Sequence, residues 1–177
     1  MAVRGIRRKS DTPVKLNVDS MLQLAKNQDL FDNYKLDIIS LIKLQNINLV
    51  YVEDMSPDMS GALRNDNGIW TIYVNKKHSQ NRQRYTIAHE FGHYCLHRGF
   101  TNEFEDTTFF RKEKDWTSIE YDANQFAADL LMPKESVENA LDNDIITIKG
   151  LSEAFGVSMI AMRNRLLSLN YKLVGDE

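Results

Sequence analysis

A single cysteine, Cys95, stands among 177 residues, so no intrachain disulfide can form and a reducing compartment suits the chain. No apolar run approaches the roughly 20 residues a membrane-spanning helix needs, and the basic start lacks the apolar stretch of a signal peptide. A cytoplasmic protein with no membrane partner is expected. Excess basic charge is also missing: 22 Lys and Arg face 25 Asp and Glu, a formal −3, which gives no general attraction to nucleic acid. There is no internal repeat and no low-complexity tract. What is present, 42% hydrophobic and 27% charged residues, is ordinary for a globular chain long enough to bury one core.

Histidine is scarce as well, four in all, yet two of them stand four residues apart in His89-Glu90-Phe91-Gly92-His93. The surrounding stretch, residues 82–97, reads as helix. Residues four apart share a helix face, so both imidazoles can converge on one ion. His-Glu-x-x-His is the zinc metallopeptidase spacing, in which the histidines hold the metal and the glutamate is the general base. Glu90 is rotated off the ligand axis by its one-residue offset and can reach a water without occupying the metal. A buried helix with capped histidines would carry the same letters, so a third ligand is required.

A catalytic zinc keeps three protein ligands and one open position. The candidate segment is a predicted helix over residues 117–132, ended by Pro133, whose apolar positions Ala123, Phe126, Ala127, Leu130 and Leu131 recur at helical spacing. Glu120 falls on that inward face, whereas Asp122 aligns with Gln125 and Asp129 on the polar one. Glu120 is the third ligand expected, with Asn124 one turn on, placed to hydrogen-bond a histidine ligand or Glu120 itself. Competing roles exist. Thr117-Ser118-Ile119-Glu120 has the form of a capping box, in which the glutamate only satisfies a main-chain amide. His97 is displaced from His89 by about 80° and 12 Å along the helix, which places it beyond the site and favours a helix-end cap. Asp122 is the other rival.

The two blocks, His89 to His93 and Glu120-Tyr121-Asp122-Ala123-Asn124-Gln125-Phe126 on to Pro133, resemble the ImmA/IrrE family of metallopeptidases. Arg84-Tyr85-Thr86-Ile87-Ala88 before the first block and Phe109-Phe110-Arg111 between the two are similar also. The likeness covers residues 35–133 well and the flanks loosely; Asp122 departs from it, where the family often has a second glutamate. It implies a zincin-like fold, zinc held by His89, His93 and Glu120, and regulated cleavage of a protein partner, a helix-turn-helix transcriptional repressor. The alternative is a non-proteolytic, metal-containing partner-binding module, such as a toxin–antitoxin component or a repressor-binding regulator.

Around these blocks the chain is expected to be α+β: a basic arm over residues 1–15, a zincin-like core over 16–133 with a central metal helix and a small antiparallel-containing sheet, and a C-terminal helical extension over 134–177. Arg4, Arg7, Arg8, Lys9 and Lys15 give the arm its charge, which fits a solvated tail better than a contact with DNA. Val18, Met21, Leu22 and Ala25, then Leu36, Ile39 and Ile42, predict two helices covering the sheet. Residues 47–52 predict a strand, and Asn65-Asp66-Asn67-Gly68 a hairpin between 60–64 and 69–75. Strand 69–75 could be an edge that pairs with substrate or an interior strand; both readings stand. Residues 98–116 read as a long connection whose aromatics Phe100, Phe104, Phe109, Phe110 and Trp116 mostly pack it onto the domain. Arg111 or Tyr94 could stabilise an oxyanion. Cys95 reads as a small buried residue. A helix at 134–141 and a helix-turn-helix outline over 147–169 close the chain, where Arg163, Asn164 and Arg165 could touch DNA. Five basic against seven acidic side chains in 134–177 argue against that contact.

Overall fold

A computed structural model describes residues 16–99, 102–107 and 118–173. The basic arm lies outside the described residues, as do Phe100, Phe109, Phe110, Arg111, Trp116 and Thr117.

Asn17 and Ser20 cap one another reciprocally and start helix α1 (Val18–Asn27). Where the periodicity predicts helix from Leu36, a two-rung hairpin forms first: β1 (Phe31–Asp32) turns at Asn33, at positive φ, into β2 (Lys35–Leu36). Asp37 then accepts from the amide of Ser40 and opens α2 (Ile38–Leu44). Strand β3 (Asn48–Val52) follows, and β4 (Met59–Asp66) joins β5 (Ile69–Asn75) through Asn67 and Gly68. Both linking residues have positive φ, 53° and 87°, as a two-residue hairpin turn of this hand requires.

The four-stranded sheet has the order β3-β5-β4-β6, with β6 at Glu103–Thr107. β3 runs parallel to β5, and β4 is antiparallel to both β5 and β6. Strand β5 is therefore interior, which resolves the two readings of residues 69–75 in favour of a core strand; among the described residues β3 and β6 are the edges. The connection expected over 98–116 is thus partly a strand. Glu103-Phe104-Glu105-Asp106-Thr107 has little β-propensity, and what holds it is its partner: Arg64 on β4 lies opposite Glu103 and pairs with it at 2.8 Å.

Helix α3 (Gln80–His97) is buried continuously from Thr86 to His93, because the sheet covers one side and α4 (Ser118–Leu131) the other. Leu63, Ile72, Ile87, Phe91, Phe126 and Leu130 belong to the single core cluster between these layers. Helix α1 packs mainly on α4 and α2, so it braces the helical layer where the sequence reading had it cover the sheet.

Beyond Pro133 come α5 (Lys134–Asp142), α6 (Ile148–Phe155) and α7 (Met159–Ser168). Gly156, left-handed at φ 64°, ends α6, and Ser158 caps α7. Arg84 of α3 ties this region down, donating to the main-chain oxygens of Gly156 at 3.0 Å and Leu36 at 2.9 Å. Arg165 is 5% exposed and pairs with Asp129 at 2.7 Å while donating to the Met132 carbonyl. Of the three polar residues singled out on α7, then, Arg163 and Asn164 face solvent and Arg165 faces inward. The architecture is mixed α+β. Among the described residues no helix is long and apolar enough to cross a membrane.

Candidate metal centre

The metal helix α3 begins at Ser79, whose hydroxyl accepts from the amide of Arg82, and its middle presents His89 and His93 one turn apart towards α4. Glu120, in the first turn of α4, meets them. His89 Nε2 lies 3.2 Å from His93 Nε2, 3.3 Å from Glu120 Oε2, and His93 Nε2 lies 3.3 Å from Glu120 Oε1. Three donors at the corners of a tetrahedron around an ion about 2.0–2.1 Å away would stand roughly 3.3–3.4 Å apart. The His89–His93 separation is close to that spacing, and Glu120 faces each histidine with a different carboxylate oxygen, so the three residues can share one small cation. Glu120 turns its carboxylate to the histidines, and the capping-box alternative involves Thr117, outside the described residues.

Helix α4 reaches the site because α3 has a glycine where the two cross. A methyl group at Gly92 would lie 3.1 Å from the carbonyl oxygen of Ala123 and 3.2 Å from its Cα. Glu90, fully buried, lies on the sheet side of α3; a methyl group at Gly61 of β4 would stand 3.4 Å from Glu90 Oε1.

Burial works against ionising Glu120, but hydrogen bonds from His89 and His93 and their charge outweigh it and hold its carboxyl well below the usual carboxylate range. Burial also keeps His93 below the ordinary imidazole range, against the pull of Glu120. A neutral imidazole and an ionised carboxylate are the forms that ligate a cation.

Several neighbours take roles the sequence left open. Asn124 donates to the main-chain carbonyl of Glu120 at 2.9 Å, one turn back along α4. His97, in the last turn of α3, is 4% exposed, and its Nδ1 lies 3.2 Å from His93 Nδ1, on the side of that ring away from Glu120. Asp122 stands outside the donor cluster, 3.8 Å from His97 Nε2. His97 stands eight residues from His89 but only four, one helical turn, from His93, and that shorter spacing makes the contact. Phe104 of β6 stacks on the His93 ring, centroids 4.5 Å apart. Tyr94 packs against Trp70 and Phe91 with Arg98 over its ring. Cys95 is buried and its thiol is pushed up by desolvation, so it stays protonated.

Among known families, the sequence model of peptidase M78, the IrrE N-terminal-like domain, matches residues 45–167, more than two thirds of the chain and a span that contains His89, Glu90, His93 and Glu120. Among known proteins, Metallopeptidase ImmA of Bacillus subtilis (strain 168) is 29% identical over 82 residues, 46% of this chain and 47% of that protein. The matched region thus spans about half the length of that relative.

Proposed function

This chain belongs to the IrrE N-terminal-like family of metallopeptidases, and from that premise we propose that it is a zinc-dependent endopeptidase with a zincin-like core, whose substrate is a DNA-binding transcriptional repressor. The observation that carries the metallopeptidase reading is the convergence of His89, His93 and Glu120, with the carboxylate of Glu90 buried on the same helix. His97 supports it from behind. It occupies the far side of His93, so among the described residues the donor set stays at three, as a catalytic site requires and a closed structural site does not.

His89, His93 and Glu120 would hold the zinc, which would supply Lewis acidity for lowering the pKa of water towards about 7 and polarising the scissile carbonyl. The protein's own part is proton transfer and alignment. Glu90 takes the proton of the attacking water and returns it to the departing amine. Strand β6, which ends the sheet among the described residues and whose Phe104 lies on His93, is the strand along which an extended substrate segment would align. The repressor as substrate, and a regulatory setting in stress, phage or mobile-element control, are taken from the family resemblance. Action on the repressor protein without direct contact to DNA agrees with the inward, paired Arg165 and the acidic balance of the C-terminal helices.

Elemental mass spectrometry of the purified chain should find about one zinc per protein, lost in His93→Ala and Glu120→Ala. Glu90→Gln should keep the zinc and lose cleavage by about 10²-fold or more. A repressor-controlled reporter should be released by the wild type and not by Glu90→Gln. Zinc binding with full proteolysis in Glu90→Gln would exclude the mechanism, and zinc binding by the wild type without cleavage of any repressor would leave the metal-containing partner-binding module in its place.

A further inference from the structure

Helix α3 carries a third histidine on the face of the two ligands. His89, His93 and His97 follow one another at single-turn spacing, and the ring of His93 is held between the other two: its Nε2 faces His89 and Glu120, its Nδ1 faces Nδ1 of His97 at 3.2 Å. Two ring nitrogens so close form a hydrogen bond in which one carries the proton and the other accepts it. When Nε2 of His93 gives its lone pair to a metal, the neutral ring carries its proton on Nδ1. His93 is then the donor and His97 the acceptor. That choice fixes the second ring too, since a neutral His97 accepting at Nδ1 has its proton on Nε2. On that side stands the carboxylate of Asp122, 3.8 Å away.

We propose that His97 is a positioning residue of the metal centre, accepting the Nδ1 proton of His93 and thereby aiming the Nε2 lone pair of His93 at the ion, with Asp122 on its outer side. This rests on the metal-site reading above. A carboxylate or carbonyl commonly takes this place behind a ligand histidine; here an imidazole is inserted between the ligand and the carboxylate. The arrangement is confined to one ligand, because Nδ1 of His89 is buried without a hydrogen-bond partner among the described residues. Packing keeps it in place. Phe104 stacks on His93 at 4.5 Å and lies 6.3 Å from the ring centre of His97, so one edge-strand aromatic covers both rings.

The test compares zinc affinity, by competition with a chromophoric chelator, and the visible spectrum of the cobalt-substituted protein in the wild type, His97→Leu and His97→Asn. His97→Leu should bind zinc about 10–100-fold more weakly and shift the cobalt bands. His97→Asn, whose Oδ1 can stand near the lost Nδ1 as acceptor, should recover most of both. Equal affinity in all three proteins would overturn the proposal, as would equal weakness in both variants, which would mean that the ring serves packing only. Histidine ¹⁵N spectra of the zinc-loaded wild type need no variant: His97 should show the Nε2–H tautomer, and an Nδ1–H tautomer would overturn the proposal. A wild type that takes up neither zinc nor cobalt marks the separate failure of the metal-site reading, and the proposal falls with it.

Discussion

Gly61 lies where β4 passes the middle of α3, and nothing larger fits there. A methyl group would stand 2.5 Å from Thr86 Cγ2 and 2.8 Å from the main-chain oxygen of Tyr73, with Glu90 Oε1 next at 3.4 Å. Gly61→Ala should therefore destabilise the protein by about 1–3 kcal/mol through overpacking. It should also reduce cleavage more than zinc binding, because the atoms forced to shift, Thr86 Cγ2 and the Tyr73 carbonyl, line the same spot as the proposed base Glu90 and none belongs to a proposed ligand. Urea denaturation, chelator competition and a cleavage assay on one preparation separate these effects; unchanged stability would show that β4 can move off the helix. At this scale much was legible in advance. His89, Glu90 and His93 follow from spacing, and Glu120 from the helical period of the apolar residues around it. His97 did not, because its role depends on which ring nitrogen faces which, a rotamer choice that spacing does not encode. Gly61 carried no motif at all.

Between elements, the decisive contact is the α3–α4 crossing at Gly92. Its neighbours there are backbone atoms of Ala123, which cannot turn aside as a flexible side chain would. Gly92→Ala should push α4 outward by a few tenths of an ångström and carry Glu120, three residues before Ala123, away from the histidines. The expected result is weaker zinc binding, by up to about tenfold, with His89 and His93 still in place. Wild-type affinity would mean that α4 slides without moving Glu120. A second prediction concerns a helix start. Burial pushes the Asp37 carboxyl up, yet the hydroxyl and amide of Ser40, the Ile39 amide and the charge of Arg84 together leave it below its ordinary value. A depressed folded-state pKa contributes stability that is present above the unfolded value of about 3.9 and lost as pH falls through the folded one. Asp37→Ala should thus cost about 1 kcal/mol near pH 7 and less below pH 4, measured as a pH series of unfolding curves. A difference independent of pH would mean that the carboxylate charge is not what caps α2. Elements with strong local signals, such as the hairpin at Asn67-Gly68 and the α4 stripe ended by Pro133, were readable. Strand β6 was not, since a run of acidic residues has little β-propensity, and what sets it in the sheet is the register of β4, with Arg64 paired to Glu103.

Across the whole molecule, the candidate metal centre adds to the packing and to hydrogen bonds that already join the layers, such as Arg82 to Ser60 of β4 and Tyr85 to the Asn124 carbonyl of α4. Two ligands come from α3, which lies against the sheet, and the third from α4, which supports α1 and, through Asp129 and Arg165, α7. The sequence showed the order of these elements but not their ties: Asp129 read as part of a polar face and Arg165 as a possible DNA contact, whereas the structure pairs them with each other and turns Arg165 inward. A cation on His89, His93 and Glu120 binds the folded chain in preference to the unfolded one, in which residues 31 positions apart do not converge. Its stabilisation follows from mass action, about 4 kcal/mol when free zinc exceeds the dissociation constant a thousandfold. That is a large share of the roughly 5–15 kcal/mol typical of a domain. Chelation should accordingly lower the melting temperature while the unfolding transition stays single, because the core cluster includes residues from both sides of the site, such as Ile72 of β5, Phe126 of α4 and Met162 of α7. Glu120→Ala should melt at the same temperature with and without added zinc. Two transitions after chelation would show instead that the metal, and not the shared apolar core, is what makes the sheet and the C-terminal helices unfold together.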